Sequence, residues 1–273
     1  MKLYLYMPPK VGKKDINQQY LAMIKAHLAK YDIQLTDQHP DIIHVFGAWD
    51  AQANQMVDQS HRLLIPTVYS PLGELAPWQF SKSKVSGQFT KISSQKQSTQ
   101  HASSVLVWGK MEKHEIEKRH WNDHIKVIPN AVITSLISPE DMVSQIMVLY
   151  QEVIEDHDIK MHENINKKLA ALKDYEDIEK KVCHQFLYLR YQFHRRNISK
   201  QTLEQLNGIL NTIEYDEDML NDMLEELHED KFASRMMQVL SEEYQLTEGF
   251  MPLDPIDDKI TKKMRAAINH EQE

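Results

Sequence analysis

The sequence predicts an α/β domain built on a parallel sheet, followed by an all-α helical bundle domain. Short apolar strands alternate with helical periods up to residue 133. From Ser138 onward the apolar spacing is helical to the end. Glycine and charge divide at the same place. Five of the seven glycines precede residue 134, and residues 1–133 carry 16 Lys+Arg against 11 Asp+Glu (+5). Residues 134–273 carry 16 against 29 (−13), and the two sum to the net charge of −8.

In the first domain, residues 1–133, a strand is expected at Leu3 to Met7, with a turn over Pro8 to Gly12. A helix follows from Ile16 to Lys30, its apolar side marked by Tyr20, Met23, Ile24, His27 and Leu28. A strand at Ile33 to Leu35 leads to a buried-type strand at Asp41 to Gly47. A helix over Ala53 to Leu64 and a strand at Pro66 to Ser70 come next. A Ser/Gln/Lys-rich helix or loop then precedes a strand at Ser104 to Gly109. The charged helix Glu112 to His120 and a strand at Ile125 to Ile128, stopped by Pro129-Asn130, complete the set. This alternation is of Rossmann type, with ligand loops at the C-terminal ends of the strands.

The second domain, residues 138–273, opens with a helix start. Ser138 caps, Pro139 suits the first helical position, and Glu140 and Asp141 complement the helix dipole. Apolar stripes then recur at Ile146, Leu149, Val153 and at Ile178, Val182, Phe186, Leu189. Others run through Leu203, Leu206, Leu210 and through Leu220, Met223, Leu224 and Leu227, and a last one through Phe232, Met236, Val239 and Leu240. Five or six helices with short connectors such as Arg196 to Ser199 make a bundle. The tail, Leu253 to Asp258 and a lysine-containing helix, is expected to order only against something else.

Composition narrows the function classes. Mean hydropathy is −0.55, and no apolar run approaches the roughly 20 residues of a membrane span, so a cytoplasmic location and no transmembrane segment are expected. Cys183 is the one cysteine, which excludes an intrachain disulfide and a thiolate metal cage. The acidic second half argues against nucleic acid as a partner, and no cofactor or metal is expected. His114, His120 and His124 beside Glu117 do not share one helix face. Cys183 reads as a small core residue. The aromatic-basic stretch Tyr188 to Arg196 reads as core with a solvated rim.

Three segments resemble, in order, the acceptor-side first domain of family-4 glycosyltransferases of the GT-B fold. They are His39 to Trp49 (HPDIIHVFGAW), Ile65 to Trp78 (IPTVYSPLGELAPW) and Lys126 to Ala131 (KVIPNA). The resemblance implies a ligand edge formed by Gly12, His44, Gly47, Leu72, Gly73, Glu74 and Trp78. It also implies departures. The family has a histidine that touches the donor sugar between the proline and the glycine, where this chain has Leu72. The family's Asn-Gly is here Asn130-Ala131, and its nucleotide-gripping second domain has no counterpart. Glu217 and Glu225 have the eight-residue spacing of that domain's glutamates, and Glu248-Gly249-Phe250 is similar to another of its motifs, but neither sits in a strand-helix context.

Each site residue also has a plain reading. His44 is either a hydrogen-bonded core histidine or a ligand contact. Glu74 and Trp78 are either pocket residues or a capping acid and a core-edge aromatic. Lys10, Lys13 and Lys14 either meet a phosphate or solvate a loop. No catalytic residue is assigned, and whether the chain is an enzyme stays open. The leading expectation is a degenerate glycosyltransferase half acting as a non-catalytic binding or regulatory partner in a cytoplasmic glycan or protein-glycosylation pathway. It would engage a protein, a glycosyltransferase being one candidate, through the helical domain, and a glycan or phosphorylated acceptor at the sheet edge. The alternatives are an active subunit whose nucleotide-sugar domain comes from a partner chain, and an adaptor unrelated to sugars.

Overall fold

A computed structural model describes residues 1–81, 88–172 and 177–269. The chain divides into two compact units, Met1–Asp158 and Ile159–Glu273.

The first unit contains β1 (Lys2–Tyr6), α1 (Asp15–Leu28), β2 (Gln34–Leu35), β3 (Ile42–Phe46), α2 (Ala51–Arg62), β4 (Thr67–Ser70) and α3 (Pro77–Ser81). It continues with α4 (Gln88–His101), β5 (Ser104–Val107), α5 (Lys110–Lys118), β6 (Ile125–Val127) and the first part of α6 (Pro139–Ala171). The strands form one six-stranded sheet in the order β2-β1-β3-β4-β5-β6, and every pairing is parallel. It is a doubly wound sheet. Its order reverses between β1 and β3, so the crevice that such sheets offer to ligands lies at the C-terminal ends of those two strands.

Alternation along β3 places each face. Ile42 and Phe46 join Leu3, Val68 and Leu106 under α1, which contributes Tyr20, Ile24 and Leu28, and under α6, which contributes Met142, Val143, Ile146, Leu149, Tyr150 and Val153. Ile43 and Val45 join Tyr69, Val105 and Val107 on the other face, against Ala53 and Val57 of α2 and Ile116 of α5. Both faces are therefore covered, as a parallel sheet requires. The Asp50 carboxylate caps α2 by accepting from the amides of Gln52 and Ala53 at 2.9 and 3.1 Å, and Ser138 Oγ accepts from the Asp141 amide at 3.0 Å at the start of α6. The helix start read at Ser138 is thus in place. The compact unit nevertheless runs on to Asp158, because the first turns of α6 bury their apolar stripe on the sheet.

The second unit holds the rest of α6, then α7 (Asp177–His194), β7 (Ile198–Ser199), α8 (Lys200–Thr212), α9 (Glu217–Glu226), α10 (Asp230–Tyr244), α11 (Lys259–Arg265) and β8 (Ile268–Asn269). Its core gathers the predicted stripes, among them Phe186, Leu189, Leu206, Met223, Met236 and Leu240, with Cys183 fully buried among them. The tail corrects its expectation, because it is ordered by this unit itself. The Ile256 amide donates to the Ser234 carbonyl at 3.1 Å. Asp258 and Thr261 form a capping box for α11, and Arg235 pairs with Asp258 at 2.8 Å. Met264 is fully buried, and β8 pairs in parallel with β7. A chain that finds its own apolar and ionic partners needs no outside surface to order it.

Gly47, directly after β3, has φ +101°, and a Cβ there would stand 2.4 Å from Val11 Cγ2 and 2.8 Å from Val11 Cγ1. Gly47→Ala is expected to cost about 2–4 kcal/mol, from backbone strain and overpacking together. In Gly12→Ala the new methyl would meet only the Met7 side chain, at 3.7 Å, so stability should stay within about 0.5 kcal/mol of the parent. Urea unfolding of the two variants measures both, and similar costs would contradict the packing described.

Candidate functional site

The loops that leave the C-terminal ends of β1, β3, β4 and β5 make the candidate edge. Gly12, Gly47, Leu72, Gly73, Glu74 and Trp78 lie on these loops, with Trp78 at the start of α3. His44 does not. It sits inside β3, fully buried, and stacks on Phe46 with ring centroids 4.0 Å apart. One ring nitrogen meets the Tyr150 hydroxyl of α6 at 2.6 Å and the other meets Ser70 Oγ of β4 at 2.7 Å. Both nitrogens are therefore engaged within the protein, and the geometry is that of the core histidine. The Ser70–His44–Tyr150 row resembles a nucleophile, base and orienting group. Ser70 and Tyr150 are as fully buried as the imidazole, however, so no substrate atom can reach the serine in this conformation.

Around the crevice the loops hold one another. The Lys14 ammonium, on the β1 loop, pairs with the Glu74 carboxylate on the β4 loop, and so reaches across the end of β3. The Trp49 indole N–H, from the β3 loop, donates to the Glu74 carbonyl at 2.9 Å, and the Trp49 amide donates to Gln95 Oε1 of α4 at 2.6 Å. The same Gln95 side chain donates to the Tyr69 hydroxyl, which in turn donates to the Gly47 carbonyl. Val11 fills the space that the hydrogen at Gly47 leaves.

The β4 loop turns sharply. Leu72 and Gly73 both adopt left-handed backbone, with φ 60° and 78°. For Gly73 that conformation is natural, whereas for Leu72 it is strained. The Leu72 side chain is 7% exposed and packs inward, so it forms part of the floor of the edge. Trp78 remains 49% exposed. A residue outside the ligand edge implied by the resemblance lies beneath this loop. Glu112 of α5 is 3% exposed, its Oε1 accepts from the Leu75 amide at 2.9 Å, and its Oε2 has no hydrogen-bond partner. Burial pushes its pKa up to about 7, while the amides of Leu75, Gly73 and Trp108 pull it down. The signal for it was in the sequence only as an acid at the third position of a helix that follows a strand.

Elsewhere on this unit a concavity of about 470 Å³ lies on the loop between β6 and α6, lined by Pro129, Leu136, Ser138, Asp141, Ser144 and Gln145 among others. Leu136 and Ile133 on that loop are 85% and 57% exposed. Glu217 and Glu225 lie exposed on α9, and Gly249 in a short 3-10 turn, so neither fragment joins a strand-helix site. Among the described residues no group of three or more His, Cys, Asp or Glu is placed to hold a metal ion, and no helix is long and apolar enough to cross a membrane. No protein-family model, curated protein or solved structure matches the chain.

Burial holds the His44 pKa down to about 3. Set against about 6.5 for the unfolded chain, this contribution to stability is complete above about pH 6.5 and is lost as pH falls from there towards 3. His44→Gln, which cannot titrate, is expected to show a flatter loss of stability over that interval than the parent. Tyr150→Phe should cost about 1–2 kcal/mol at neutral pH, through the lost hydrogen bond. Denaturant midpoints at a series of pH values check both. A histidine variant with the parent's acid slope would show that His44 is not held neutral.

Proposed function

We propose that this chain is a degenerate half of a GT-B glycosyltransferase, working as a non-catalytic binding or regulatory partner in a glycan or protein-glycosylation pathway. The observation that carries the reading is the loop after β4. It keeps the sharp left-handed turn at a sheet edge that would let a ligand approach the backbone closely, yet Leu72 stands where the resemblance calls for a histidine. A buried aliphatic chain can neither hydrogen-bond to a sugar nor move a proton. Glu74, the nearby acid, is already paired with Lys14. The helices of the second unit further support a chain without a nucleotide site of its own. On this reading Gly73 and Trp78 meet a glycan or phosphorylated acceptor, and the helical unit meets a protein.

A second reading, an active subunit completed by a partner's nucleotide-sugar domain, is favoured by one feature. The exposed apolar residues Ile133 and Leu136 leave the same edge of the sheet, just after β6. Such residues suit a protein contact.

The two readings separate in a thermal-shift and calorimetry panel of UDP-, GDP- and ADP-sugars together with free and phosphorylated glycans. A ligand at a hundredfold over its Kd stabilises the folded state by about 2.7 kcal/mol. The proposal expects no shift with any nucleotide sugar, and a saturable shift with a glycan that weakens at least tenfold in Trp78→Ala. A saturable shift with a nucleotide sugar would overturn it. Sugar transfer that appears only on addition of a partner chain would establish the second reading.

A further inference from the structure

Glu112 is a carboxyl group in a place where a carboxylate is costly. It belongs to α5, where Lys113 and Glu117 pair at the surface and the other buried acid, Glu115, has a cation of its own in Arg119 at 2.6 Å. Glu112 turns inward instead, under the loop that follows β4. Its Oε1 takes the Leu75 amide across 37 residues of sequence, and its Oε2 is enclosed, with the Gly73 and Trp108 amides close to the carboxyl but neither in hydrogen-bonding geometry. An enclosed, unpartnered oxygen on an ionised group carries a large desolvation cost, whereas a protonated carboxyl keeps the Leu75 bond and sheds the charge.

The charges around it point the same way. Glu74, on the loop itself, acts on Glu112 as a like charge, and its own cation, Lys14, is spent on that pair. The Tyr69 phenol of β4 is within electrostatic reach of the carboxyl, and burial keeps this phenol neutral, with the negative charges of Glu112, Glu74 and Asp50 acting in the same sense. On the other side, the amides of Leu75, Gly73 and Trp108 favour the ionised form. Burial is the largest of these influences. The loop it holds is also under strain at Leu72, so its closed form has a competitor.

We propose that Glu112 is a proton-operated latch on the Pro71–Ala76 loop, closed while the carboxyl holds its proton and progressively released as the proton leaves. Opening exposes Glu112 to water and returns it to an ordinary carboxylate, so proton release and opening are linked. The sign follows from the raised pKa of the closed state. The latch is firmest below about pH 4.5, and its hold is lost as pH rises towards about 7. Above that the opening equilibrium levels off, because open and closed forms are then both ionised. The consequence is a sheet edge whose access depends on pH across the neutral and mildly acidic range, whichever ligand it takes.

Hydrogen exchange at the Leu75 amide in the full chain, corrected for the intrinsic rate, tests this between pH 5 and 8. The opening constant should rise about tenfold per pH unit between about 5 and 7 and then flatten. Glu112→Gln retains an oxygen for the Leu75 amide and should show no pH dependence. A flat profile in the parent, or the parent's slope in Glu112→Gln, would overturn the proposal. Should that variant fail to fold, the carbon-13 titration of the Glu112 carboxyl in the parent decides. A midpoint near 7 supports the latch, and one near 4.5 overturns it.

Discussion

An imidazole in the middle of a sheet covered on both faces must have both nitrogens satisfied, or the strand that carries it does not belong there. β3 is buried at every position, and His44 is its polar residue. Its neighbour in the sheet supplies one hydroxyl, Ser70. The other comes from Tyr150, 106 residues further along the chain. The need to pair a buried polar group therefore fixes where α6 lies. The apolar stripe from Met142 to Val153 then covers the remainder of that face. Without α6 that face of the sheet would keep only the cover of α1, and His44 would have an unpaired ring nitrogen.

With β3 held, its neighbours set the edge. The loops after β1 and β3 approach so closely at Val11 and Gly47 that a methyl group would not fit between them. The β4 loop is pinned by three contacts, Lys14 and Trp49 on one side and Glu112 beneath. These contacts have different strengths. The Lys14 and Glu74 pair is partly in water and contributes little to stability. The Glu112 contact is enclosed, so its protonation state counts for more. The edge is thus a rigid frame with one loop whose hold depends on a single proton.

Much of this was legible in the sequence. The six strands of the first unit fall within a residue or two of the positions that apolar runs and Pro/Gly punctuation assign, and Ser138-Pro139 opens a helix as its capping chemistry predicts, whereas the short β7 and β8 pair lies where only connector and helix were read. Other features were not legible, for physical reasons. Periodicity shows that a helix has an apolar stripe and says nothing about what the stripe packs against, so the turn to helical spacing at Ser138 precedes the end of the first compact unit. His44 could be read as a ligand contact because its second partner lies on a helix far away in sequence. Glu112 was matched to the resemblance only as part of a helix and not placed in the site, because KMEKHEIEK has the composition of a solvated face, and the inward turn of this side chain is set by a loop 37 residues earlier. The tail carried prolines and acids that suggest loose chain, and its order comes from Arg235 and Ser234, which pattern alone does not pair with it.

The dependence of the sheet on α6 can be tested by folding two fragments, residues 1–158 and residues 1–138, and following each by near-ultraviolet circular dichroism and thermal melting. The account predicts that residues 1–158 give a fixed aromatic environment and a cooperative melt, and that residues 1–138 give neither, because His44 loses the Tyr150 hydroxyl and one face of the sheet loses part of its cover. Two equally cooperative fragments would contradict it.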